Sequence, residues 1–331
     1  MQTLTVFAKA NPKLFNPGQL ELLQPYTENL TSDDLQLFRH TVVIYRFALS
    51  ILTNRHLTFL TTVEASLLKT LTRIPNQELN EVISCLRNIS LITNDAERLI
   101  RVTSSCINNV NKFRGRTINT PQELKAPVRT LHILGYFGHY CDFEPHIARF
   151  KNLGTDVATV SGLIAQTLVS CCGGEMHPEI RRAAIENLGR VCQTNAVHFL
   201  NPKILDIINT VFSEQNIELK ASILEGLKGF FLLEESRSTE ALSEEIGVKV
   251  KKQTQAVTGA KQLAQNAFAT QNDGVSTSLA QTYLKEITAV AMGSQDAYAL
   301  VAVEVIASIL RQGLVHPKEV CLFSVVPGLE G

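Results

Sequence analysis

Two stretches of this sequence repeat one pattern, and the repeat restricts the fold more than any other feature. Glu179–Leu188 and Glu218–Leu227 align without a gap at a spacing of 39 residues, with acidic, basic and apolar positions in the same order. Tyr298–Ile306 keeps the small residue, the central glutamate and the apolar positions of that pattern. Helical segments that recur at roughly 40 residues are typical of HEAT and armadillo proteins.

Apolar side chains within each copy follow the spacing of an α-helix. Ile180, Ala184 and Leu188 lie one turn apart, and the matching positions of the second copy are also apolar. Each copy is therefore one amphipathic helix, and a single repeat buries its apolar face only against its neighbours. We predict an all-α fold, a HEAT-repeat α-solenoid built as a right-handed superhelix of helical hairpins.

The helical pattern divides the chain into four parts. Residues 1–235 show successive helical segments separated by Pro, Asn and Gly, which predicts HEAT repeats. Residues 236–275 contain few large apolar side chains, which predicts an insertion that is partly disordered. Residues 276–319 predict a last HEAT repeat, and residues 320–331 an atypical tail. Neither end carries the polar-faced cap of a complete array, so we expect a fragment of a longer protein.

Local signals predict several helix ends. The uncharged stretch after residue 157 predicts a helix that ends before Gly173, and Pro178 and Pro202 predict the starts of the next two helices. Thr120–Glu123 has the form of a capping box with proline at the first helical position. Gly115 and Gly313 are candidates for left-handed residues that close helices.

Composition restricts the class of protein and of partner. The chain has 31 Lys plus Arg and 31 Asp plus Glu, so its net charge of zero does not favour a polyanionic partner. Evidence for such a partner has to come from a local cluster of basic residues. Seven cysteines form no C-x-x-C pair and most fall within apolar helical patterns. We therefore expect buried free thiols in a reducing compartment.

Motifs for catalysis or for a cofactor are missing from the sequence. It contains no nucleophile elbow, zinc-protease helix, P-loop or dinucleotide fingerprint. His132, His139, Cys141 and His146 are the nearest approach to a metal-binding set, but their spacing fits no familiar zinc pattern. We predict a protein that is not an enzyme and that has no metal or cofactor.

A basic run is the feature that suggests a binding partner. Residues 98–129 contain seven lysines and arginines but a single acidic residue, Glu123. Cations near the C-terminus of a helix also stabilise the helix dipole, which is the alternative explanation. Because few aromatic residues interleave with the run, we hypothesise a surface for the backbone of duplex DNA without sequence specificity. Its candidate residues are Arg98, Arg101, Lys112, Arg114, Arg116, Lys125 and Arg129.

Residues near the C-terminal end resemble a known family. Leu279–Lys285 and Gln312–Pro317, the second reading Q-G-L-V-H-P after a helix, resemble the last HEAT repeats of Nipped-B-type cohesin loaders. Phe59–Glu64, Val82–Leu86 and Arg129–Phe143 add weaker similarity, so the resemblance covers nearly the whole chain. The tail departs from it, because Val320 stands where the family pattern has a cysteine.

The resemblance implies a function that the residues alone do not. It implies a non-enzymatic, nuclear and chromatin-associated scaffold that binds duplex DNA and the SMC head and kleisin subunits of cohesin. Such a scaffold promotes cohesin loading and stimulates the cohesin ATPase, and the region that binds the loader's partner subunit lies outside this chain. The alternative is a HEAT or armadillo adaptor that binds only proteins, similar to an importin or a phosphatase scaffold. No membrane association is expected.

Overall fold

The described part of the chain is helical, with short 3-10 turns between α-helices and no β-strand. The computed structural model describes residues 1–28, 30, 34–114, 116, 120–154, 158–251, 259–293 and 296–320, and only the backbone of residues 54, 240–251 and 259–273. The α-helices are α1 (Gln2–Ala10), α2 (Pro17–Glu21), α3 (Leu35–Ala48), α4 (Leu57–Thr70), α5 (Asn76–Thr93), α6 (Glu97–Phe113), α7 (Pro121–Tyr140), α8 (Val160–Val169), α9 (Pro178–Thr194), α10 (Pro202–Ser213), α11 (Ile217–Lys251), α12 (Gly259–Gly293) and α13 (Ala297–Arg311).

The helices pack in chain order within two compact units, Met1–Thr167 and Leu168–Gly331. In the first unit, α3 packs on α1, α5 on α3 and α7 on α5, while α4 pairs with α5 and α6 with α7. In the second unit, α11 packs on α9 and α13 on α11, while α10 pairs with α11 and α12 with α13. Each unit is therefore a series of stacked hairpins, which confirms the predicted α-solenoid.

The core of each unit consists of apolar side chains between stacked helices. Phe38, Tyr45 and Phe137 are fully buried in the first unit, and Phe230 and Phe231 in the second. The Tyr45 hydroxyl donates a 2.9 Å hydrogen bond to the carbonyl oxygen of Leu20, so its one polar atom is satisfied inside the core. Desolvation raises the pKa of this phenol well above its usual range.

Two glycines allow α9 and α11 to approach closely in the second unit. A Cβ atom built on Gly189 would lie 3.0 Å from the Cα of Gly226, which is tighter than nine in ten real Cβ contacts. A side chain at either position would require the backbones of α9 and α11 to separate by a few tenths of an ångström. Close packing of α9 on α11 thus explains why glycine occupies positions 189 and 226.

Most predicted helix ends are confirmed. α9 and α10 begin at Pro178 and Pro202, and Gly313 has a left-handed φ of +67° after α13. α13 begins at Ala297, because Asp296 caps it by accepting hydrogen bonds from two backbone amides. α8 ends at Val169 because the amides of Cys171 and Cys172 bond to carbonyls three residues back. Gly115 lies outside the described residues.

The domain boundaries remain predictions. α11 extends beyond residue 236 and α12 begins before residue 275, so helical backbone enters both ends of the predicted insertion. Residues 252–258 within it, and residues 321–331 of the predicted tail, lie outside the described residues. No helix in the described ranges is long and apolar enough to cross a membrane.

The six cysteines that the structure describes are free thiols. Cys85, Cys106, Cys171, Cys172 and Cys192 are buried, as predicted, and Cys141 is partly buried. Burial raises the pKa of Cys106 and of Cys141 to about 12. Cys106 and Cys141 are therefore protonated and unreactive near neutral pH.

Candidate nucleic-acid interface

The basic run lies on the hairpin of α6 and α7. The two helices pack together and are joined by the short connection 114–120, so they run antiparallel. Thr120 caps α7, since its Oγ1 accepts a 3.3 Å hydrogen bond from the Glu123 amide, and Pro121 takes the first helical position. α7 continues through Pro127, so Lys125 and Arg129 lie on one helix.

Four cations lie at the end of the hairpin where α6 turns into α7. We call Lys112, Arg114, Arg116 and Lys125 the basic turn. All four side chains are exposed, and none forms an ion pair with an acidic side chain in the part of the chain that the structure describes. Their charge is therefore available to a partner in solution.

Arg98 and Arg101 lie near the opposite end of α6, about 20 Å from Lys112 along the helix axis. The Arg98 guanidinium donates to Glu64 Oε2 at 2.8 Å and to the carbonyl oxygen of Thr61 at 3.2 Å. Arg101 donates to Glu97 at 3.1 Å, and the same carboxylate also accepts from Arg149. These two candidates are therefore engaged by acids of the protein.

Glu64 gives the Arg98 pair a structural role. Glu64 as a whole residue is 7% exposed, and burial raises the pKa of its carboxyl above the usual range, while the attraction of Arg98 acts in the opposite direction. A buried carboxylate without a partner is costly, so Arg98 stabilises an acid that the fold places inside the protein.

Arg129 connects α7 to the turn between α4 and α5. Its Nε donates to the carbonyl oxygen of Leu71 and its Nη1 to Asn76 Oδ1, each at 2.6 Å. Its Nη2 is buried without a hydrogen-bond partner among the described residues. Desolvation lowers the pKa of Arg129 to about 10, against the smaller opposite effect of Tyr136. Arg129 is a packing residue of the first unit.

The structure thus divides the seven candidates into the basic turn and three engaged arginines. The acid that engages Arg98 was missed in the sequence, although a signal existed. Glu64 precedes Arg98 by 34 residues. Arg39 and Glu78 pair at a separation of 39, and Arg181 and Glu214 at 33. Cations whose partner lies one repeat away are recognisable once the repeat is known.

The remaining candidate cluster, His132, His139, Cys141 and His146, is not brought together as a metal-binding set in the described part of the chain. Among the described residues, no three His, Cys, Asp or Glu side chains lie close enough together to bind a metal ion. His132 is buried in α7, and His146 lies in a 3-10 turn after that helix.

The fold and most of the length of the chain match a solved structure. The structure of a C-terminal fragment of the cohesin loader SCC2 from Chaetomium thermophilum superimposes with a TM-score of 0.84 and 31% sequence identity, over 97% of this chain and 23% of that one. This chain is related to the C-terminal region of the Nipped-B-type cohesin loaders. The family model for the sister chromatid cohesion C-terminus matches residues 276–326, which extends past Val320 into the predicted tail.

Relatives of the Nipped-B type match along the same length. The sister chromatid cohesion protein mis4 of Schizosaccharomyces pombe is 27% identical over all of this chain and 21% of its own length. Sister chromatid cohesion protein 2 of Saccharomyces cerevisiae is 23% identical over 96% of this chain and 21% of its own length. The human Nipped-B-like protein is 22% identical over 99% of this chain and 12% of its own length. The chain spans about a fifth or less of these relatives.

Proposed function

We propose that this chain acts in sister chromatid cohesion as a non-enzymatic scaffold of a cohesin loader, in the nucleus and on chromatin. The observation that supports this most strongly is the match to the SCC2 fragment over 97% of the chain at 31% identity. In this proposal the scaffold holds duplex DNA and cohesin against one another and so promotes loading. The chemistry of ATP hydrolysis belongs to cohesin, whose ATPase the scaffold stimulates.

The basic turn is the part of the chain that we assign to DNA. Its four exposed cations match the regular negative charge of a phosphate backbone, and each contact releases a condensed counterion. A cluster of this kind contacts phosphates and supplies affinity without reading bases. The engaged arginines at the other end of α6 and within α7 add little to this surface, because their charges are compensated or buried.

Salt-dependent binding to duplex DNA tests the assignment. The triple variant Lys112→Glu, Arg114→Glu and Arg116→Glu removes three phosphate contacts. We expect the slope of log affinity against log salt to flatten by about 2.7, since each contact contributes about 0.9. The measurement is fluorescence anisotropy of a labelled duplex between about 50 and 200 mM salt.

A matched variant controls for net charge. Lys9→Glu, Lys13→Glu and Lys203→Glu change the charge of the chain equally, at exposed positions that do not belong to the α6–α7 hairpin. We expect a much smaller change of slope in this variant. Equal slopes in both triple variants, or no effect of either, would remove the basic turn from the DNA interface.

Contact with cohesin is the second part of the proposal. We expect the chain to bind the SMC head and kleisin subunits and to raise the rate of ATP hydrolysis by cohesin in the presence of duplex DNA. Pull-down with purified head and kleisin subunits, together with phosphate release, measures both effects. Binding to cohesin without any binding to DNA would instead favour an adaptor that contacts only proteins.

A further inference from the structure

Thr120 combines a sequence motif with a charged surrounding that no other residue of the chain shares. The sequence contains eleven prolines, and Thr120 is the one serine or threonine that directly precedes a proline. It is exposed and lies in the connection between α6 and α7, beside the basic turn. We propose that Thr120 is a phosphorylation site of a proline-directed protein kinase, and that its phosphate neutralises the basic turn.

The hydroxyl of Thr120 is accessible to a transferring phosphoryl group. Its Oγ1 accepts a hydrogen bond from the Glu123 amide and lies on the surface. The kinase supplies a nucleoside triphosphate. A bond forms between Oγ1 and the γ-phosphorus, the bond from that phosphorus to the β-phosphate bridging oxygen breaks, and the hydroxyl proton passes to the base of the kinase.

The cations around Thr120 favour its phosphorylated form. Arg116 precedes Thr120 by four residues, so their Cα atoms are at most about 14 Å apart, and the long arginine side chain shortens the distance between the charges. Lys125 lies within the first turn and a half of α7, on the other side of Thr120 in the chain. A phosphate near such cations forms charge-assisted hydrogen bonds, and the positive end of α7 adds to the attraction. Glu123 is the one acid of the basic run, and its charge opposes these attractions.

The phosphate would compete directly with DNA. A phosphothreonine carries a charge of about −2, which offsets about two of the four cations in the basic turn. If each lost contact lowers the salt slope by about 0.9, the modified chain should lose about 1.8 from its slope on duplex DNA. This consequence rests on the proposed function, whereas the modification itself does not.

Phosphorylation of the whole chain tests the site. The chain is incubated with a purified proline-directed kinase and ATP, and the modified residue is located by mass spectrometry. We expect phosphate on Thr120, lost in Thr120→Asn, which keeps a capping side chain, and in Pro121→Ala. Absence of phosphate on Thr120, or incorporation there that is insensitive to Pro121→Ala, would overturn the proposal.

A phosphorus NMR titration tests the neighbourhood without DNA. We expect the second pKa of the phosphothreonine to lie below its ordinary value near 6, because the basic turn favours the dianion. In the variant Lys112→Gln, Arg114→Gln and Arg116→Gln it should return toward 6. An unshifted pKa in the unsubstituted chain would show that the phosphate does not engage the basic turn. This result is independent of whether the turn binds DNA, so failure of the proposed function and failure of this inference are distinguishable.

Discussion

Cations of two kinds occur within one hairpin. Arg98 and Arg129 bind partners within the protein, the buried carboxylate of Glu64 and two oxygens at the α4–α5 turn respectively. Arg114 and Arg116, in the same stretch of sequence, are exposed and face solvent. The comparison teaches that a run of basic residues is not itself a positive surface. The field that a polyanion meets depends on which of the charges the fold has left uncompensated.

Arg129→Ala should have the largest effect on stability. It leaves the Leu71 carbonyl and the Asn76 side chain without their donor and removes a packed side chain, so we expect the free energy of unfolding to fall by about 3 kcal/mol. Chemical denaturation measures the loss, and Arg129→Lys should recover only part of it. If the folded variant binds duplex DNA far more weakly at full stability, Arg129 belongs to the interface instead.

Arg98→Gln should have the next largest effect. It leaves Glu64 buried without its cation, and because Arg98 is 44% exposed at its side chain we expect a loss of about 2 kcal/mol, less than for a fully buried pair. The folded pKa of Glu64 is raised, so its contribution is present below the ordinary value of about 4.3 and is lost as pH rises through the folded pKa.

The pH dependence makes the Arg98 prediction specific. In Arg98→Gln the pKa of Glu64 should rise further, so the variant should regain stability on acidification over a wider range than the unsubstituted chain. Adding Glu64→Gln should remove this dependence and restore much of the loss. Unfolding curves between pH 4 and about 8 measure this dependence. If the double variant loses as much free energy of unfolding as the two single variants added together, the pairing of Arg98 with Glu64 is contradicted.

Glu214→Gln extends the comparison to the second unit and should have a smaller effect. Arg181 donates to both carboxylate oxygens of Glu214, at 2.8 and 2.6 Å, and these hydrogen bonds lower the pKa of Glu214. The stability from this pair is present above about pH 4.3 and is lost as pH falls through the lowered pKa. We expect a loss of about 1.5 kcal/mol at pH 7 that disappears under strongly acidic conditions. A loss that persists in acid would indicate damage to packing.

Substitution of the basic turn should have the smallest effect on stability. Lys112→Glu, Arg114→Glu and Arg116→Glu break no ion pair of the described residues, and Lys112 and Arg114 lose only a favourable interaction with the α6 dipole. We expect a change below about 1 kcal/mol that shrinks as salt is added. A loss as large as that of Arg129→Ala would mean that the turn has internal partners, and the contrast between the two kinds of cation would fail.

The fold was predictable because helix packing follows local patterns. Amphipathic spacing and proline positions located α9 and α10, and the repeat of 39 residues indicated how the hairpins stack. Exact ends were harder. α3 ends at Ala48, because Leu49–Ile51 tightens into a 3-10 turn, and apolar spacing does not distinguish such a turn from an α-helix.

The candidate site was predictable only in part. The exposed cations of the basic turn, Lys112 among them, follow from position, since they lie at a helix end and in the connection after it. The hydrogen bond of Arg129 could not be predicted from the sequence, because its acceptor is the backbone carbonyl of Leu71, 58 residues earlier. Every residue has such a carbonyl, so the residue type at position 71 gives no indication of the contact. Backbone acceptors across a repeat emerge only when the helices are placed in space.

The buried thiols make the chain suited to site-directed fluorophores. Thiol-reactive dyes need thiolate, and burial raises the pKa of Cys85, Cys106, Cys172 and Cys192, so these thiols react slowly. With Cys321 replaced by serine, a new cysteine at Lys125 should react with maleimide much faster than the native thiols. The proposed arrival of a labelled duplex at that position could then be tested one molecule at a time.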